Sequence, residues 1–253
     1  MTLDEQIISM TTRVECGFSA CDALSRGTGF FYADEGGEGR EWLVTNRHVV
    51  FHQEAVTDFV EFFLRRRVTD ADGSAHTDEH PVRLGRREAY ADLTLNERLG
   101  YCRLSGGYLP GSNPVRVETA SDVIVCSYPH GFYDTVNKYP IIKSGIVASS
   151  WGKLFEGDPC FLIDCQLFPG SSGGLVLSKP ADIRPTPDYA HIPAAQRLCG
   201  KQYALLGIFS HTLAKPLPDE DGKIHNKELG LGIVWYGELI SEIVKDGVAY
   251  NPE

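Results

Sequence analysis

Short runs of β-branched and aromatic residues recur along the whole chain, and they limit the folds open to it more than any other feature of the sequence. Glycine, proline and aspartate separate the runs, which is the pattern of strands joined by turns. Their spacing favours a β-barrel or β-sandwich over alternating strands and helices. The runs are residues 29–32, 42–45, 59–68, 123–127, 141–148, 161–165, 175–177, 205–209 and 231–235.

Two segments carry the pattern of a helix instead. Residues 3–12 predict a short opening helix, and residues 237–245 place their apolar side chains on one side, as an amphipathic terminal helix does. Between two strand-like runs, the polar segment 69–79 predicts a hairpin.

The chain of 253 residues is long enough for two halves. Residues 106–114 are rich in glycine and proline, and we expect the boundary there. It separates an N-terminal half, residues 1–110, from a C-terminal half, residues 111–253. The proline-rich segment 179–201 predicts a long surface insertion.

Charge and hydropathy exclude several classes of partner. The formal net charge is −10 at pH 7, and because an acidic chain repels phosphate backbones, we expect no nucleic-acid partner. No apolar run approaches the ~20 residues that cross a bilayer, so we expect no membrane segment. The first residues include acids and lack the basic start and apolar core of a secretory signal, which predicts a cytoplasmic location.

The number and spacing of the cysteines also fit a cytoplasmic location. They are odd in number and show no paired CxxC spacing, so we expect reduced thiols, with a single disulfide such as Cys160–Cys165 left open. With the histidines they form no zinc pattern, and we expect no metal. The seven cysteines are Cys16, Cys21, Cys102, Cys126, Cys160, Cys165 and Cys199.

The segment FPGSSGG, residues 168–174, is the strongest chemical motif. Serine on a glycine-rich turn offers a small nucleophile, and glycine lets the backbone come close to a substrate. The N–H groups of such a turn are what an acyl-transfer enzyme needs to stabilise a developing oxyanion. The segment lacks the GxxxxGK[ST] pattern of a phosphate loop, so it does not indicate nucleotide binding.

A serine hydroxyl needs a base that takes its proton, and His48 is the candidate. It follows an apolar run in WLVTNRHVV, where a buried strand would end. Because the imidazole must be neutral to act as a base, activity is expected to rise with pH through about 6.5 to 7.

The base in turn needs an acid that orients it, and Asp92 in YADLTLNE is the best candidate. An apolar alternation follows it and would bury a carboxylate at a strand edge. Four other aspartates lie between His48 and Asp92, one too close to His48 in sequence and three in the polar segment 69–79: Asp58, Asp70, Asp72 and Asp78.

Four motifs together resemble the trypsin-like serine proteases of the chymotrypsin fold, in the family order His, Asp, Ser: GTGFFY, TNRHVV, ADLTL and FPGSSGG. The cytoplasmic bacterial trypsin-like peptidases are the most similar group, and residues 126–150 also resemble them. The resemblance implies an all-β fold with two six-stranded antiparallel β-barrels of the chymotrypsin type and a short C-terminal helix. The first barrel would carry the histidine and aspartate, and the second the serine and the substrate-binding strand.

The same resemblance implies roles for single residues. The serine directly before Gly-Gly is the family nucleophile, which here is Ser172 and not Ser171. The oxyanion hole would be formed by the backbone N–H groups of Gly170 and Ser172. Residues 204–212 resemble the strand that pairs with an extended substrate, which agrees with the pairing capacity of an exposed strand edge. The substrate-binding residues would be Ser210, His211 and Thr212.

Together these residues predict a serine endopeptidase that acts on protein or peptide substrates through an acyl-enzyme, without cofactor or metal. No start resembling Ile-Val-Gly-Gly follows a short propeptide, so we expect control by a regulatory protein partner or by loop ordering.

Two other functions stay open. A protease-like domain without activity could bind a peptide or partner on the same strand. A serine esterase of another fold is the third possibility, because residues 170–174 satisfy the string GxSxG. The chain order of the partners and the all-β pattern disfavour it.

Substrate specificity depends on the first pocket. Trypsin-like enzymes that cut after Lys or Arg have an aspartate six residues before the nucleophile, where this chain has Gln166. A neutral amide supplies no charge to offset a desolvated cation. We therefore expect an uncharged residue before the cut, with Asp164 or an acid within residues 219–228 as the alternative pocket charge.

Overall fold

Strands make up most of the molecule. The computed structural model describes residues 3–19, 21–33, 41–53, 55–85, 99–183, 200–218 and 223–246. Each of the nine predicted runs falls on a strand, to within one residue at its ends. The chain is therefore all-β, as the spacing of the runs predicts, and the esterase alternative, which needs an α/β fold, is wrong.

The N-terminal elements form a sheet with two short helices. Their bounds are α1 Leu3–Ser9, β1 Thr11–Phe18, β2 Cys21–Ala33, β3 Glu41–Val44, α2 Arg47–Val50, β4 Thr57–Thr69, β5 Ala75–Gly85, β6 Leu99–Gly100 and β7 Arg103–Leu104. The order in the sheet is β3-β2-β1-β4-β5, with β6 paired to β4 and β7 paired to β2.

This N-terminal sheet is not closed among the described residues, so the expectation of two six-stranded barrels is not confirmed. Closure needs a ladder between the two edge strands, β3 and β5. Instead β3 is four residues long and pairs only with β2, and every residue of β5 pairs with β4.

The C-terminal elements form the one barrel that closes in the described ranges. Their bounds are β8 Asp122–Ser127, β9 Ile141–Val147, β10 Cys160–Asp164, β11 Leu175–Ser178, β12 Ala181–Ile183, β13 Gly200–Gln202, β14 Leu205–Pro218, β15 Ile224–Tyr236 and α3 Glu238–Asp246. The six barrel strands follow the order β10-β15-β14-β11-β8-β9.

Strand β8 shows why some runs are apolar at every position. Successive side chains of a strand point to opposite faces. Val123 and Val125 lie in the core of the barrel, whereas Ile124 and Cys126 belong to a second core. Because both faces of the strand are covered, no position in the middle of it is free to be polar.

The second core joins the two halves of the chain. Its N-terminal members include Phe30 and Leu104, and its C-terminal members include Leu175 and Leu205. Ile240 of α3 packs into the same core. The two halves therefore bury apolar surface against each other, and this contact fixes the position of one half on the other.

Both predicted helices and the hairpin are confirmed. Helix α3 is shifted by one residue from the predicted 237–245, and α1 ends three residues before the predicted end at residue 12 because Thr11 and Thr12 join β1. Strands β4 and β5 form the hairpin, in whose turn Asp72 Oδ1 accepts a hydrogen bond from Ser74 N–H at 2.9 Å.

The predicted insertion begins and ends as a two-stranded ladder of β12 and β13, and residues 184–199 lie outside the described part of the chain. The domain boundary near residues 106–114 stays a prediction. The cysteines that the structure describes are free, so Cys160 and Cys165 do not pair: Cys16, Cys102, Cys126, Cys160 and Cys165. Among the described helices, none is both long and apolar enough to span a bilayer.

Candidate active site

The motif FPGSSGG forms a tight turn between β10 and β11. Ser171 N–H donates to Phe168 O at 3.0 Å, and Gly174 N–H donates to Ser171 O at 2.8 Å. Gly173 has a φ of +84°, and a Cβ atom at this position would lie 1.9 Å from Thr28 O. Only glycine fits there, because the backbone of β2 passes directly over the turn.

The two serines of the turn lie in different environments. Ser171 is fully buried, and its hydroxyl accepts a hydrogen bond from Ser127 Oγ at 3.1 Å. Ser172 is partly exposed, and its hydroxyl donates to Ser210 O at 2.9 Å. Of the two hydroxyl groups, only that of Ser172 can therefore meet a substrate without unfolding of the turn.

The N–H groups of the turn also fall into two classes. Those of Ser171, Gly173 and Gly174 donate to carbonyl groups of the chain. Those of Gly170 and Ser172 have no acceptor among the described residues. A pair of unpaired N–H groups beside a reactive oxygen is the arrangement that stabilises an oxyanion.

The N-terminal half holds this turn and the adjoining β14 through residues that the sequence analysis did not single out. Thr28 N–H donates to Ser172 O at 2.8 Å, and Thr45 Oγ1 donates to Thr28 O at 2.7 Å. Asn46, which is buried, donates from Nδ2 to Phe209 O at 2.7 Å. Asn46 and Thr45 lie two and three residues before the candidate base in TNRH, but nothing in that motif indicates their partners.

His48 lies on α2, which is one turn long, and is exposed. Val49, the next residue, is buried, and its Cγ atoms would lie 2.6 Å from a Cβ at Gly27. Val49 therefore anchors the helix against β2. Although the residue is exposed, its neighbours remove part of the solvent around the ring, and this desolvation lowers the pKa of His48 below its ordinary value; repulsion from His211 lowers the pKa further.

A direct hydrogen bond between Ser172 and His48 is not formed in this structure. The Ser172 hydroxyl donates to Ser210 O instead. Ser210 Oγ in turn lies 3.0 Å from His211 Nδ1, and it is His211 whose charge acts on His48. Residues 210–211 thus interact with both the serine and the histidine, by the hydrogen bond from Ser172 to Ser210 O and by the effect of His211 on the pKa of His48.

Asp92 lies outside the described residues, and its place as the acid stays a prediction. The four alternative aspartates are described. Asp70 and Asp72 lie at the turn of the β4–β5 hairpin, where both bond to Ser74. Among the described residues, no carboxylate contributes to the shift of the pKa of His48, so none of these four has the effect expected of its acid partner.

The predicted substrate-binding residues Ser210, His211 and Thr212 lie on β14. The ladder between β14 and β15 shifts register between Phe209 and Thr212. Such a bulge re-aims side chains next to a site, and here His211 is exposed while Ser210 is buried. Gln166 is exposed, directly after the buried Cys165, and its role in a pocket stays a prediction.

Comparison with known proteins agrees with the motifs. The profile of the trypsin-like peptidase domain matches residues 27–181, which is more than half of the chain. The chain belongs to the trypsin-like peptidase family. A comparison with curated proteins gave no match.

Three solved protease structures resemble this trypsin-like peptidase at low identity. The Rv3671c protease of M. tuberculosis, in its active form, is 15% identical; the match covers 99% of this chain and 86% of that chain, with a TM-score of 0.48. The protease of tobacco vein mottling virus is 11% identical, with 98% and 87% coverage and a TM-score of 0.43. The inactivated protease paralogue S-I1 of the scabies mite is 16% identical, with 96% coverage of both chains and a TM-score of 0.41.

Replacement of His211 should change the titration of His48 in this peptidase. His211→Gln removes the repulsion that disfavours the charged form of His48, so the pKa of His48 should rise toward its ordinary value. If activity requires neutral His48, its loss at low pH should begin at a higher pH in the variant. The reason is that removal of a like charge raises the pKa of His48. An NMR titration of the His48 ring measures the pKa directly.

His76→Gln is the matched control, because His76 pairs with Asp70 on the β4–β5 hairpin. It should leave the His48 titration unchanged. An equal shift in both variants, or none in His211→Gln, would show that the two imidazoles are not coupled.

Proposed function

We propose that this chain is a serine endopeptidase that hydrolyses protein or peptide substrates through Ser172, His48 and Asp92. One observation carries the proposal. The Ser172 hydroxyl is the accessible hydroxyl of the turn, and the turn leaves the N–H groups of Gly170 and Ser172 without acceptors among the described residues. Nucleophile and oxyanion donors therefore come from a single turn.

The proposed reaction follows the chemistry of a serine triad. His48 takes the proton of Ser172 as the serine oxygen attacks the peptide carbonyl, and the N–H groups of Gly170 and Ser172 stabilise the oxyanion. His48 then protonates the leaving amine, and an acyl-enzyme remains on Ser172. Water, activated by His48, releases the acyl group. Each step uses groups of the chain and water, so we propose neither cofactor nor metal.

Attack requires the Ser172 hydroxyl to leave Ser210 O and turn toward His48. We propose that this exchange of acceptors occurs by rotation about the Cα–Cβ bond of Ser172. Catalytic hydrogen bonds are often absent or long without substrate and form only in the complex. The lowered pKa of His48 keeps the ring neutral and ready to accept that proton near neutral pH.

An acid is still needed to orient His48, and we propose Asp92. Asp92 lies outside the described residues, and its motif ADLTL matches the order of the family.

The substrate is proposed to lie along β14 at Ser210, His211 and Thr212. An extended peptide can pair with strand backbone where the ladder to neighbouring strands is interrupted. The register shift between Phe209 and Thr212 supplies such an interruption. A regulatory protein partner and a cytoplasmic location remain part of the proposal, and the free thiols of the described cysteines fit a reducing compartment.

A second function is favoured by one specific contact. The Ser172 hydroxyl is already bound to Ser210 O, and a site fixed in that state would bind a peptide without cutting it. The second candidate is therefore a protease-like domain that holds an extended peptide or partner protein on β14. Reactivity of the serine separates the two.

Ser172→Ala should abolish both peptide hydrolysis and labelling by a fluorophosphonate probe. Loss of the nucleophile in a triad enzyme lowers turnover by roughly 10⁶. Ser171→Ala is the matched control and should still be labelled, because Ser171 is buried and bonded to Ser127. Labelling of neither the wild type nor Ser171→Ala would favour the binding domain, and labelling of Ser172→Ala would place the nucleophile elsewhere.

Asp92→Asn should leave the fold intact but lower turnover by roughly 10⁴, because an amide favours the wrong tautomer of His48. Turnover of a peptide substrate, with circular dichroism to confirm the fold, measures the effect. Asp58→Asn and Asp78→Asn are controls that should keep activity. If one of them shows the loss and Asp92→Asn does not, the acid has been assigned to the wrong residue.

A peptide-library cleavage profile should show an uncharged residue, apolar or small and polar, before the cut. The neutral amide of Gln166 supplies no charge for a lysine or arginine side chain. Gln166→Asp should raise cleavage after Arg and Lys if this residue forms the pocket base. Dominant cutting after Arg or Lys by the wild type would instead assign the pocket charge to Asp164 or to residues 219–228.

A further inference from the structure

The Gly170 N–H group can stabilise an oxyanion only if the peptide bond between Pro169 and Gly170 keeps its orientation. His130 N–H donates to Pro169 O at 2.6 Å. The C=O and N–H groups of a trans peptide point in opposite directions, and the described residues contain no cis peptide bond. The bond from His130 therefore directs the Gly170 N–H away from the backbone of His130.

The contact is too close for any other residue at position 170. Gly170 has a φ of +88°, and a Cβ atom there would lie 2.7 Å from Tyr128 O and 2.8 Å from His130 N. The turn thus rests directly on the backbone of residues 128–130. Thr28 Oγ1 holds the carbonyl of Gly170 at 3.0 Å, whereas the carbonyl of the preceding Pro169–Gly170 peptide is held by His130 N–H.

His130 does not hold this position without help. Its φ of +51° lies in the left-handed region, which residues with a Cβ adopt only at a cost in free energy. A conformation of this kind persists when the surroundings fix it. The adjoining bonds, Gly131 N–H to Tyr128 O at 2.9 Å and Phe132 N–H to Pro129 O at 2.7 Å, close the turn but do not attach it to the rest of the protein.

Arg65 of β4 attaches both ends of the segment. We call residues 128–139 the brace loop. Arg65 Nη2 donates to Tyr128 Oη at 2.8 Å at the start of this loop, and Arg65 Nε donates to Lys138 O at 2.8 Å near its end. A third bond, from Nη2 to Thr11 O at 3.2 Å, fixes the guanidinium to β1.

Burial of the Arg65 charge carries a free-energy cost that its hydrogen bonds must offset. Its exposed fraction is 9%, its three acceptors are uncharged, and no ion pair joins it to a carboxylate in the described ranges. A buried charge without an opposite charge carries a desolvation penalty. A planar guanidinium has several donors in fixed directions and can hold two loop ends at once, whereas the donors of a lysine ammonium all lie on one nitrogen.

Arg13 holds the middle of the brace loop by a different contact. Its guanidinium lies between the rings of Phe63 and Tyr133, at 4.0 Å and 4.4 Å from their centroids. Glu79 accepts a hydrogen bond from it at 2.9 Å. Tyr133 also packs edge-on against Tyr128, so the two arginine contacts meet at neighbouring rings.

We propose that Arg65 is a positioning residue for the oxyanion donor at Gly170. It holds the brace loop in the arrangement in which His130 fixes the Pro169–Gly170 peptide, and Arg13 supports the same loop. The role rests on the proposed function, since the direction of the Gly170 N–H affects a rate only if an oxyanion forms beside it.

Turnover of the Arg65→Met variant tests the role. The value of kcat on a peptide substrate should fall roughly 10- to 100-fold, less than the loss of a whole oxyanion donor. KM should stay within about twofold, because the donor acts in the transition state and not in substrate binding. Arg83→Met is the matched control. Arg83 also stacks on an aromatic ring, that of Phe59, and bonds Glu61, but both contacts lie on β4.

Amide hydrogen exchange tests the same role of Arg65 without a measurement of turnover. The His130 amide, which donates to Pro169 O, should exchange faster in Arg65→Met than in the wild type, measured on a peptide that spans residues 128–132. Exchange there should not change in Arg83→Met. Global unfolding would raise exchange throughout the chain and lower the melting temperature, which separates it from release of this loop.

The results of these experiments either support or overturn the proposed role of Arg65. A lower kcat at constant KM with faster local exchange, both confined to Arg65→Met, supports the role. An unchanged kcat, unchanged exchange or an equal fall in Arg83→Met overturns it. If Arg65→Met does not fold, Arg13→Leu is judged by the same measurements. If the wild type hydrolyses no peptide and its serine is unreactive, the proposed function fails, and exchange alone then decides whether Arg65 holds the loop.

Discussion

Thr28 is the residue on which the candidate site depends most. It has no exposed surface, and each of its polar groups is hydrogen-bonded. Its N–H donates to Ser172 O, its carbonyl accepts from Thr45 Oγ1, and its hydroxyl joins Gly170 O to Tyr128 N–H. One buried residue of the N-terminal sheet thus sets the position of a turn that belongs to the C-terminal barrel.

In the rest of the site, some polar groups have hydrogen-bond partners and others do not. Buried polar groups normally find partners, and the turn obeys this rule at Ser171, Gly173 and Gly174. Within the turn, the N–H groups of Gly170 and Ser172 have no acceptor among the described residues. The hydrogen bonds on one side of the turn leave the N–H groups of Gly170 and Ser172 on the other side. Only a ligand or solvent can accept hydrogen bonds from them.

The sequence predicts local features well and contacts between distant segments poorly. The strand at residues 123–127 is predictable because burial of both faces demands apolar residues at positions 123–126. The serine turn is predictable because glycine is needed where backbones touch. Asn46 gave no comparable signal, since its partner Phe209 lies far away in the chain. The expectation that the N-terminal sheet closes into a barrel rested on family resemblance alone, and no residue pattern tested it.

The core shared by the two halves limits how this protein can be controlled. Phe30 and Leu104 from one half pack with Leu175 and Leu205 from the other. To part the halves would expose these side chains to water, so a regulator that opens the molecule at this seam must supply an apolar surface of its own. A regulator that only shifts a surface loop meets no such demand. Adjustment of a surface loop therefore costs less than separation of the two halves, because it leaves their shared core buried.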